Sequence, residues 1–424
     1  MSFQHQYTTT ENSLIGRSDC GFDIDLTLPD FVFDSFKSLA VRQETDGILD
    51  YFVKRNQEFL RVKSYVGLLQ TAQGFQLEIL PKIANDTAQS RSILLNVLRS
   101  LPNSPFKTLP PANLQTAQMS IWEIFVSVFL DELQQIVQRG LQRSYQSTES
   151  ESQFLRGKWL INKQLQQSKL SQTAFVVEYD LFLMNNAPNR LIKTCLDLLS
   201  TQIETSANGR RLVELQSYWQ NVPIATDIKA DLQIAQHLNR HFLHYATALQ
   251  WATIFLENKS WLGQSGSAAN VSLLFKMERL FESYVSYCFK KYITDYKTIS
   301  QQSEQFLIAD HAGKTQYKLR PDLIIRQNNK TIIADTKWKQ IDAQNANNQY
   351  GIDQRDLYQL YAYGQKYQAD ALFLIYPANS NFTQPLPPFR YDSHLSLWAL
   401  PFDLTVAPSA AVQSINMAVL AALV

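Results

Sequence analysis

At 424 residues the chain is too long for one ordinary core and implies two or three domains. Hydrophobic residues at 45% and charged residues at 18% exclude a disordered chain and describe a soluble globular one. The 39 Lys and Arg against 38 Asp and Glu exclude a protein that grips nucleic acid unaided along a basic footprint; any such partner would meet a local patch while another subunit supplies most of the grip.

The opening "MSFQHQYTTTENS" has no basic segment ahead of an apolar one, so no signal peptide is expected. From about residue 20 to 85 the composition favours strands. There "YVGLLQTAQGFQLEILPKI" (Tyr65–Ile83) alternates around Gly74 and stops at Pro81, which is a hairpin pattern. "EILPKI" reads as a binding loop contacting through Lys82 or as a plain strand end. Prolines cluster in Leu101–Pro111, a connector. Helical spacing from about 116 to 145 predicts a helix stopping near Gly140. Strand-like segments follow at Phe154–Asn162 and Thr173–Phe182. Helices return in "PNRLIKTCLDLLSTQI", opened by Pro188 and Asn189, and over about Asp227–Glu257. His237, His241 and His244 would then share one helical face at zinc-compatible spacing, but no Glu or Cys ligand accompanies them and ordinary packing is the expectation. The Gly/Ser/Ala-rich Trp261–Ser272 marks a boundary. Cys20, Cys195 and Cys288 form no CxxC, which argues for free thiols in a reducing cytoplasm.

After that boundary come a helix in "LLFKMERLFESYVSYCFKKYI", a strand near "EQFLIAD" and two strands in "YKLRPDLIIRQNNKTIIADTKWKQ" (Tyr317–Gln340). A helix in "QRDLYQLYAYGQKY" and a strand in "DALFLIYP" complete the order α-β-β-β-α-β, a mixed sheet flanked by helices. The expected organisation is α+β and multidomain: a β-rich domain over 1–115, a mainly helical region over 116–268, and the mixed-sheet domain over 269–424. The C-terminal "AAVQSINMAVLAAL" reads as a helix docking on its own domain or a neighbour. Its apolar tail, Met417–Val424, is too short to cross a bilayer.

Two carboxylates and an ammonium interrupt the strands of Tyr317–Gln340. With Asn328–Asn329 as a two-residue turn, Gln327 pairs with Lys330 and Asp322 falls opposite Asp335. Like charges across a ladder destabilise it, unless a divalent cation lies between them. Mg²⁺ takes one or two carboxylates plus waters and phosphate oxygens, so Asp322 and Asp335 fit as its protein ligands, assisted by the Thr336 carbonyl. Mn²⁺ is the alternative ion. Lys337, two residues past Asp335, points to the same face and suits a water-positioning or charge-stabilising role. Glu278 and Glu282 lie one helical turn apart, and Glu282, close to Phe281 and Tyr284, is the favoured third acid. Gln359 and Tyr363, four apart on a helix, suit a water or phosphate contact. Pro321 is placed to bulge or end the ladder at the site.

"RPDLII…IIADTKWK" resembles the signature of the PD-(D/E)XK nuclease superfamily, and Gln359–Tyr363 resembles the QxxxY element of its RecB-type members. The wider chain is similar to the McrC subunit of McrBC-type restriction systems. "YVGLLQTAQGFQLEILPKI" resembles that family's VG…leIlPKi segment and "LRGKWL" (Leu155–Leu160) its RGR-L element, with Lys158 in place of the second arginine. "YDLFLMNNAPNRLIK" (Tyr179–Lys193) and "MERLFESYV" (Met277–Val285) resemble two further family segments. The likeness covers most of residues 60–380. It implies a Mg²⁺-dependent endonuclease subunit, acting on modified double-stranded DNA with an AAA+ GTPase hexamer, McrB. It also implies that the N-terminal β-rich part enters the partner hexamer and stimulates its hydrolysis. The absence of a GxxxxGK[ST] motif agrees with a separate motor. The alternatives are a non-catalytic adaptor keeping a nuclease fold and a stand-alone RecB-like repair nuclease.

Overall fold

The computed structural model describes residues 6–18, 22–41, 47–71, 73–83, 86–102, 104–110, 118–166, 174–203, 205–237, 240–257, 272–293, 297–300, 305–327 and 330–423. The chain forms two compact units, Met1–Ile121 with Lys259–Val424, and Trp122–Asn258.

The first unit opens with β1 (Gln6–Thr10), β2 (Leu14–Arg17), β3 (Leu26–Leu28), α1 (Asp30–Val41), β4 (Leu49–Lys54), β5 (Gln57–Val62), β6 (Tyr65–Gln70), β7 (Gln76–Leu80) and α2 (Thr87–Arg99). The expected hairpin is β6–β7, with Gln70 opposite Gln76. Every residue of both strands is buried, which is why the run is nearly continuously apolar. Helix α1 interrupts the region read as strand-rich. Its Val32, Phe33, Phe36 and Leu39 fall on one face and bury with Leu60, Val62 and Ile79. Helix α2 precedes the proline connector, and its N-cap Asp86 accepts a hydrogen bond from the Gln89 amide.

The second unit begins on α3 (Ile121–Arg139), which ends one residue before Gly140. The strand β8 (Ser144–Ser152) takes the residues that helical spacing had carried on to about 145. Then come β9 (Lys158–Trp159), α4 (Ile161–Gln166), β10 (Phe175–Leu183), α5 (Ala187–Leu199), α6 (Ser206–Tyr218), α7 (Ile228–Gln236) and α8 (Ala246–Glu257). β10 runs antiparallel to both β8 and β9. Gly157 lies at φ +63, and a Cβ there would stand 2.2 Å from the Glu178 carbonyl oxygen, so the Arg-Gly-Lys turn requires its glycine. The three histidines do not share a helix. His237 caps α7, while His241 and His244 sit on the 3₁₀ turn Arg240–Tyr245. Among the described residues, no group of three or more His, Cys, Asp or Glu gathers as a metal cluster.

The first unit resumes with β11 (Ser272–Lys276), α9 (Met277–Tyr292), β12 (Lys297–Ser300), β13 (Phe306–His311), β14 (Lys314–Lys318), β15 (Leu323–Gln327) and β16 (Lys330–Thr336). It ends on α10 (Gln354–Tyr367), β17 (Ala371–Pro377), β18 (Phe389–Arg390), β19 (Ser396–Phe402) and α11 (Pro408–Leu423). Two expectations are corrected here. The helix read from Leu273 starts at Met277, because Ser272–Lys276 add a strand to β6, completing the sheet β1-β7-β6-β11. At that seam Gly67, φ +123, leaves room for the Leu273 carbonyl oxygen, which a Cβ would meet at 1.9 Å. The "EQFLIAD" strand is β13, and it pairs with β14 in a separate two-stranded sheet. The first strand of the mixed sheet is instead β12, antiparallel to β15.

That sheet runs β12-β15-β16-β17-β19-β18. β12, β15 and β16 are antiparallel neighbours, and β16, β17 and β19 are parallel. α10 packs on β16 and β17, burying Leu360 and Tyr363 with Ile333, Leu372 and Leu374. α9 packs on β12, β16 and α11, so the C-terminal helix docks within its own unit. The Trp261–Ser272 boundary lies almost wholly outside the described residues. Among the described residues no helix is long and apolar enough to cross a membrane.

In the N-terminal sheet Glu78 is fully buried. It accepts from Arg91 Nε at 2.9 Å, Arg91 Nη2 at 2.6 Å and Thr8 Oγ1 at 3.0 Å. Removing one partner of a buried pair strands the other charge. Arg91→Met is expected to lower unfolding stability by about 3–5 kcal/mol, measured by chemical denaturation. A loss below about 1 kcal/mol would show the pair to be dispensable.

Candidate active site

The pairing of β15 with β16 sets the site. Gln327 lies opposite Lys330 and the ladder continues to Leu323 opposite Ala334, the register expected from a two-residue connection. Asn328 and Asn329 themselves lie outside the described residues. The ladder ends one pair short of Asp322 and Asp335. Pro321 has no N–H to extend it, and Asp322 bends away. The Asp322 Oδ2 oxygen instead accepts from the Thr336 amide and the Thr336 hydroxyl, each at 2.7 Å. Thr336 therefore secures one acid through its N–H and Oγ1.

Asp335 stands on β16 opposite Leu374 of the parallel strand β17 and is only 2% exposed. Its Oδ2 lies 2.7 Å from Lys337 Nζ as an ion pair, yet receives no well-angled hydrogen bond. Lys337 Nζ donates to Gln359 Oε1 at 3.1 Å. Gln359 Nε2 donates to the Tyr363 hydroxyl at 2.8 Å, and that hydroxyl donates to the Arg320 carbonyl at 3.3 Å. Arg320 precedes Pro321-Asp322, so the chain of bonds closes back on the first acid. The four-residue spacing of Gln359 and Tyr363 makes their contact a single turn of α10.

Burial is the first cause pushing both acids up, Asp322 to about 6 and Asp335 to about 7. The Glu282 charge raises Asp322 further, against the Thr336 hydrogen bonds and Lys337. Asp322 raises Asp335, against Lys337. Glu282, half-buried on α9, is thus near enough to act on Asp322, although it does not gather with the pair into a three-ligand cluster.

Three groups beyond the expected set join the site. Asp356, buried on α10, pairs with Lys339 at 2.7 Å and lies 3.8 Å from Lys337. Asp353, the α10 N-cap, lies 3.7 Å from Lys339. The buried Tyr376 hydroxyl has no hydrogen-bond partner, and after burial the charges of Asp356 and Asp335 push it up. A signal for the first two existed: Lys337 and Lys339 alternate on one strand face, and Asp356, Gln359 and Tyr363 recur at helical spacing.

The donor set fits a hard divalent cation. The buried Asp335 and the half-buried Asp322 converge on the Lys337 ammonium, with Asp335 Oδ2 2.7 Å from Nζ. Two carboxylates completed by water and phosphate oxygens is the pattern Mg²⁺ favours.

Fold and site define an α+β protein with an acid pair, Asp335 buried and Asp322 half-buried, and a lysine at neighbouring strand ends of a mixed sheet. Residues 60–377 match the family of McrBC 5-methylcytosine restriction system components, and the chain belongs to that family. One similar solved structure is a half-complex of Thermococcus gammatolerans McrB AAA+ hexamers with bound McrC. It is 18% identical with TM-score 0.74, covering 97% of this chain and all of that one. Another is the Thermococcus gammatolerans McrBC complex, 19% identical with TM-score 0.52, covering 69% of this chain and 89% of that chain. At these identities the likeness is one of fold. No curated protein matches the chain.

Acids whose pKa is raised by folding favour the fold while protonated and oppose it once ionised. Stability of the metal-free protein should therefore fall as pH rises from about 4 to about 7. Mg²⁺ should raise the thermal midpoint mainly at the upper end of that range, where both acids are charged. Asp335→Asn should flatten both trends. A wild-type midpoint indifferent to pH and to Mg²⁺ would contradict the raised acids.

Proposed function

We propose that this chain is the Mg²⁺-dependent DNA endonuclease subunit of a McrBC-like, modification-dependent restriction system, working in the cytoplasm with an AAA+ GTPase subunit. The observation that carries the reading is the buried Asp335 beside the half-buried Asp322, with Lys337 held between Asp335 and Gln359. The α-β-β-β-α-β order around it is that of the PD-(D/E)XK nucleases, and the match to restriction-system components supports the substrate class. The McrC of the similar structures is bound to McrB AAA+ hexamers, which supports a motor partner.

Asp322 and Asp335, with the Thr336 carbonyl, would hold the ion, Mg²⁺ or alternatively Mn²⁺. When bound, the ion supplies a water of lowered pKa and neutralises charge on a phosphate oxygen. The protein's own groups do the rest. Lys337 directs the attacking water or offsets negative charge growing on the phosphoryl group. Gln359 fixes the Lys337 ammonium through a neutral amide. Glu282 adds negative charge beside Asp322 and favours cation capture. Water adds to phosphorus and gives up a proton to solvent, the P–O bond to the leaving strand breaks, and that oxygen departs with a proton from solvent. From Lys276 to Asp342 there are 12 Lys and Arg against 8 Asp and Glu, a modest local excess suited to a duplex delivered by a motor.

The test is cleavage of methylated duplex DNA by the chain with its AAA+ partner, GTP and Mg²⁺. Asp335→Ala and Lys337→Ala are expected to lower cleavage by about a hundredfold or more while leaving stimulated GTP hydrolysis intact. Wild-type rates of cutting by both variants would remove the assignment. A wild type that stimulates hydrolysis but never cuts would instead favour the adaptor.

A further inference from the structure

Glu11 is a carboxylate that the proposed chemistry does not use. It follows β1 and is 1% exposed. Its amide donates to the Leu80 carbonyl at 2.9 Å, extending the β1–β7 pairing by one residue. Its Oε1 accepts from the Trp338 indole Nε1 at 2.7 Å and from the Lys82 amide at 3.2 Å, while Oε2 is buried without a hydrogen-bond partner. Beside these bonds, the Lys82 carbonyl accepts from Gln340 Nε2 at 2.7 Å. The "EILPKI" segment thus engages the site strand through the backbone of Lys82, whose side chain stays exposed.

Residues 337–340 lie past the end of β16, where no ladder holds them beyond the Lys337 amide bond to the Ile375 carbonyl. The Lys339 amide donates to the Lys337 carbonyl at 3.1 Å, a tight turn about Trp338, and neighbouring side chains go to different sides. Lys337 and Lys339 reach Asp335, Gln359 and Asp356. Trp338 and Gln340 reach Glu11 and Lys82. The Trp338 ring also lies against Phe281, centroids 5.3 Å apart, and Phe281 immediately precedes Glu282 on α9. One indole therefore touches the turn carrying Glu282 and adjoins Lys337, and Glu11 is the group that fixes the indole N–H.

We propose that Glu11 is a positioning residue: by holding Trp338 it sets the placement of Lys337 and of the Phe281–Glu282 turn, and so ties the N-terminal sheet to the catalytic strand. This rests on the nuclease reading of that strand. Burying a carboxylate is unfavourable unless its hydrogen bonds repay the lost hydration, and charge-assisted bonds are the strong kind. Burial pushes the Glu11 carboxyl up to about 7, against the hydrogen bonds from Trp338 and Lys82. A carboxylate kept at that disadvantage, with its donors drawn from segments 71 and 327 residues away, serves to join them.

The experiment uses the full chain with its AAA+ partner, GTP, Mg²⁺ and methylated duplex. Trp338→Phe keeps a ring against Phe281 and removes the N–H. Glu11→Gln keeps an acceptor oxygen, and Glu11→Ala removes it. Glu11→Ala and Trp338→Phe should each lower kcat for cleavage about tenfold with KM for DNA unchanged, and the double variant should fall no further. Glu11→Gln should recover most of the loss. Cleavage by Glu11→Ala at the wild-type rate, or fully additive losses in the double variant, would overturn the proposal. A second readout is independent of cutting. The ¹⁵N-indole resonance that disappears in Trp338→Phe should shift in Glu11→Ala, and an unmoved resonance would also overturn it. A wild type that never cuts, with a resonance that does shift, would fault the nuclease reading and leave the hold of Glu11 on Trp338 standing.

Discussion

Two acids set side by side, one buried and one half-buried, are the constraint around which the mixed sheet is arranged. Asp322 and Asp335 arrive from adjacent strands at the edge of a hydrophobic sheet, where ionising both is opposed by burial and by each other. The Lys337 ammonium stands against Asp335 at 2.7 Å and acts on Asp322 as well. The protein answers with fixed donors instead of further cations: the amide and hydroxyl of Thr336 both serve Asp322. Asp335 Oδ2 in turn lies 2.7 Å from the Lys337 ammonium. Ionising both acids there is unfavourable without an added positive charge.

The support on the α10 side separates the two lysines of the strand by partner. Lys339 takes Asp356 at 2.7 Å, whereas Lys337 lies 3.8 Å from that carboxylate and takes Asp335 and the neutral Gln359. Had Asp356 been the nearer partner of Lys337, the ammonium would have been drawn away from Asp335. Tyr363 then carries the brace to the Arg320 carbonyl, one residue before the Pro321 that ends the ladder. The amide–hydroxyl relay fixes a charge without adding one, and it needs no more than one helical turn.

Local rules made the centre of the site legible. Two apolar runs joined by Asn328–Asn329 admit one register with a common buried set, and that register delivers Asp322 beside Asp335. The spacings of Lys337 and Gln359–Tyr363 follow from strand and helix periods. Other segments are decided by partners that a linear reading does not supply. β12 (Lys297–Ser300) is short and partly polar, so the more apolar "EQFLIAD" stood in for it. Ser272–Lys276 is as apolar as the helix it precedes, and only the β6 edge, some two hundred residues earlier in the chain, makes it a strand. β8 is built from Ser, Glu, Gln, Thr and Tyr and owes its strand to pairing with β10. The bond between Glu11 and Trp338 spans 327 residues and has no periodic trace at all.

Those long-range ties decide what kind of object carries the acids. β11 belongs to the N-terminal sheet and leads without a break into α9, whose first amide, at Met277, donates to the Ser64 carbonyl at 3.1 Å. Along α9, Leu280, Phe281, Tyr284 and Val285 are buried, so the helix is held as a rigid rod with Glu282 among them. The N-terminal sheet therefore reaches the acid centre along two routes, covalently through β11 and α9, and by hydrogen bonds through Glu11, Trp338 and Gln340. The routes converge where Phe281 meets the Trp338 ring. A displacement of the N-terminal sheet against the mixed sheet must bend α9, break the charge-assisted bond at Glu11, or part those two rings. Each of these changes falls within a residue or two of Glu282 or Lys337. Geometry at the acid pair is in this sense a property of the whole first unit, and a mixed sheet excised at Met277 would lack the bonds that Glu11 and Lys82 make to Trp338 and Gln340.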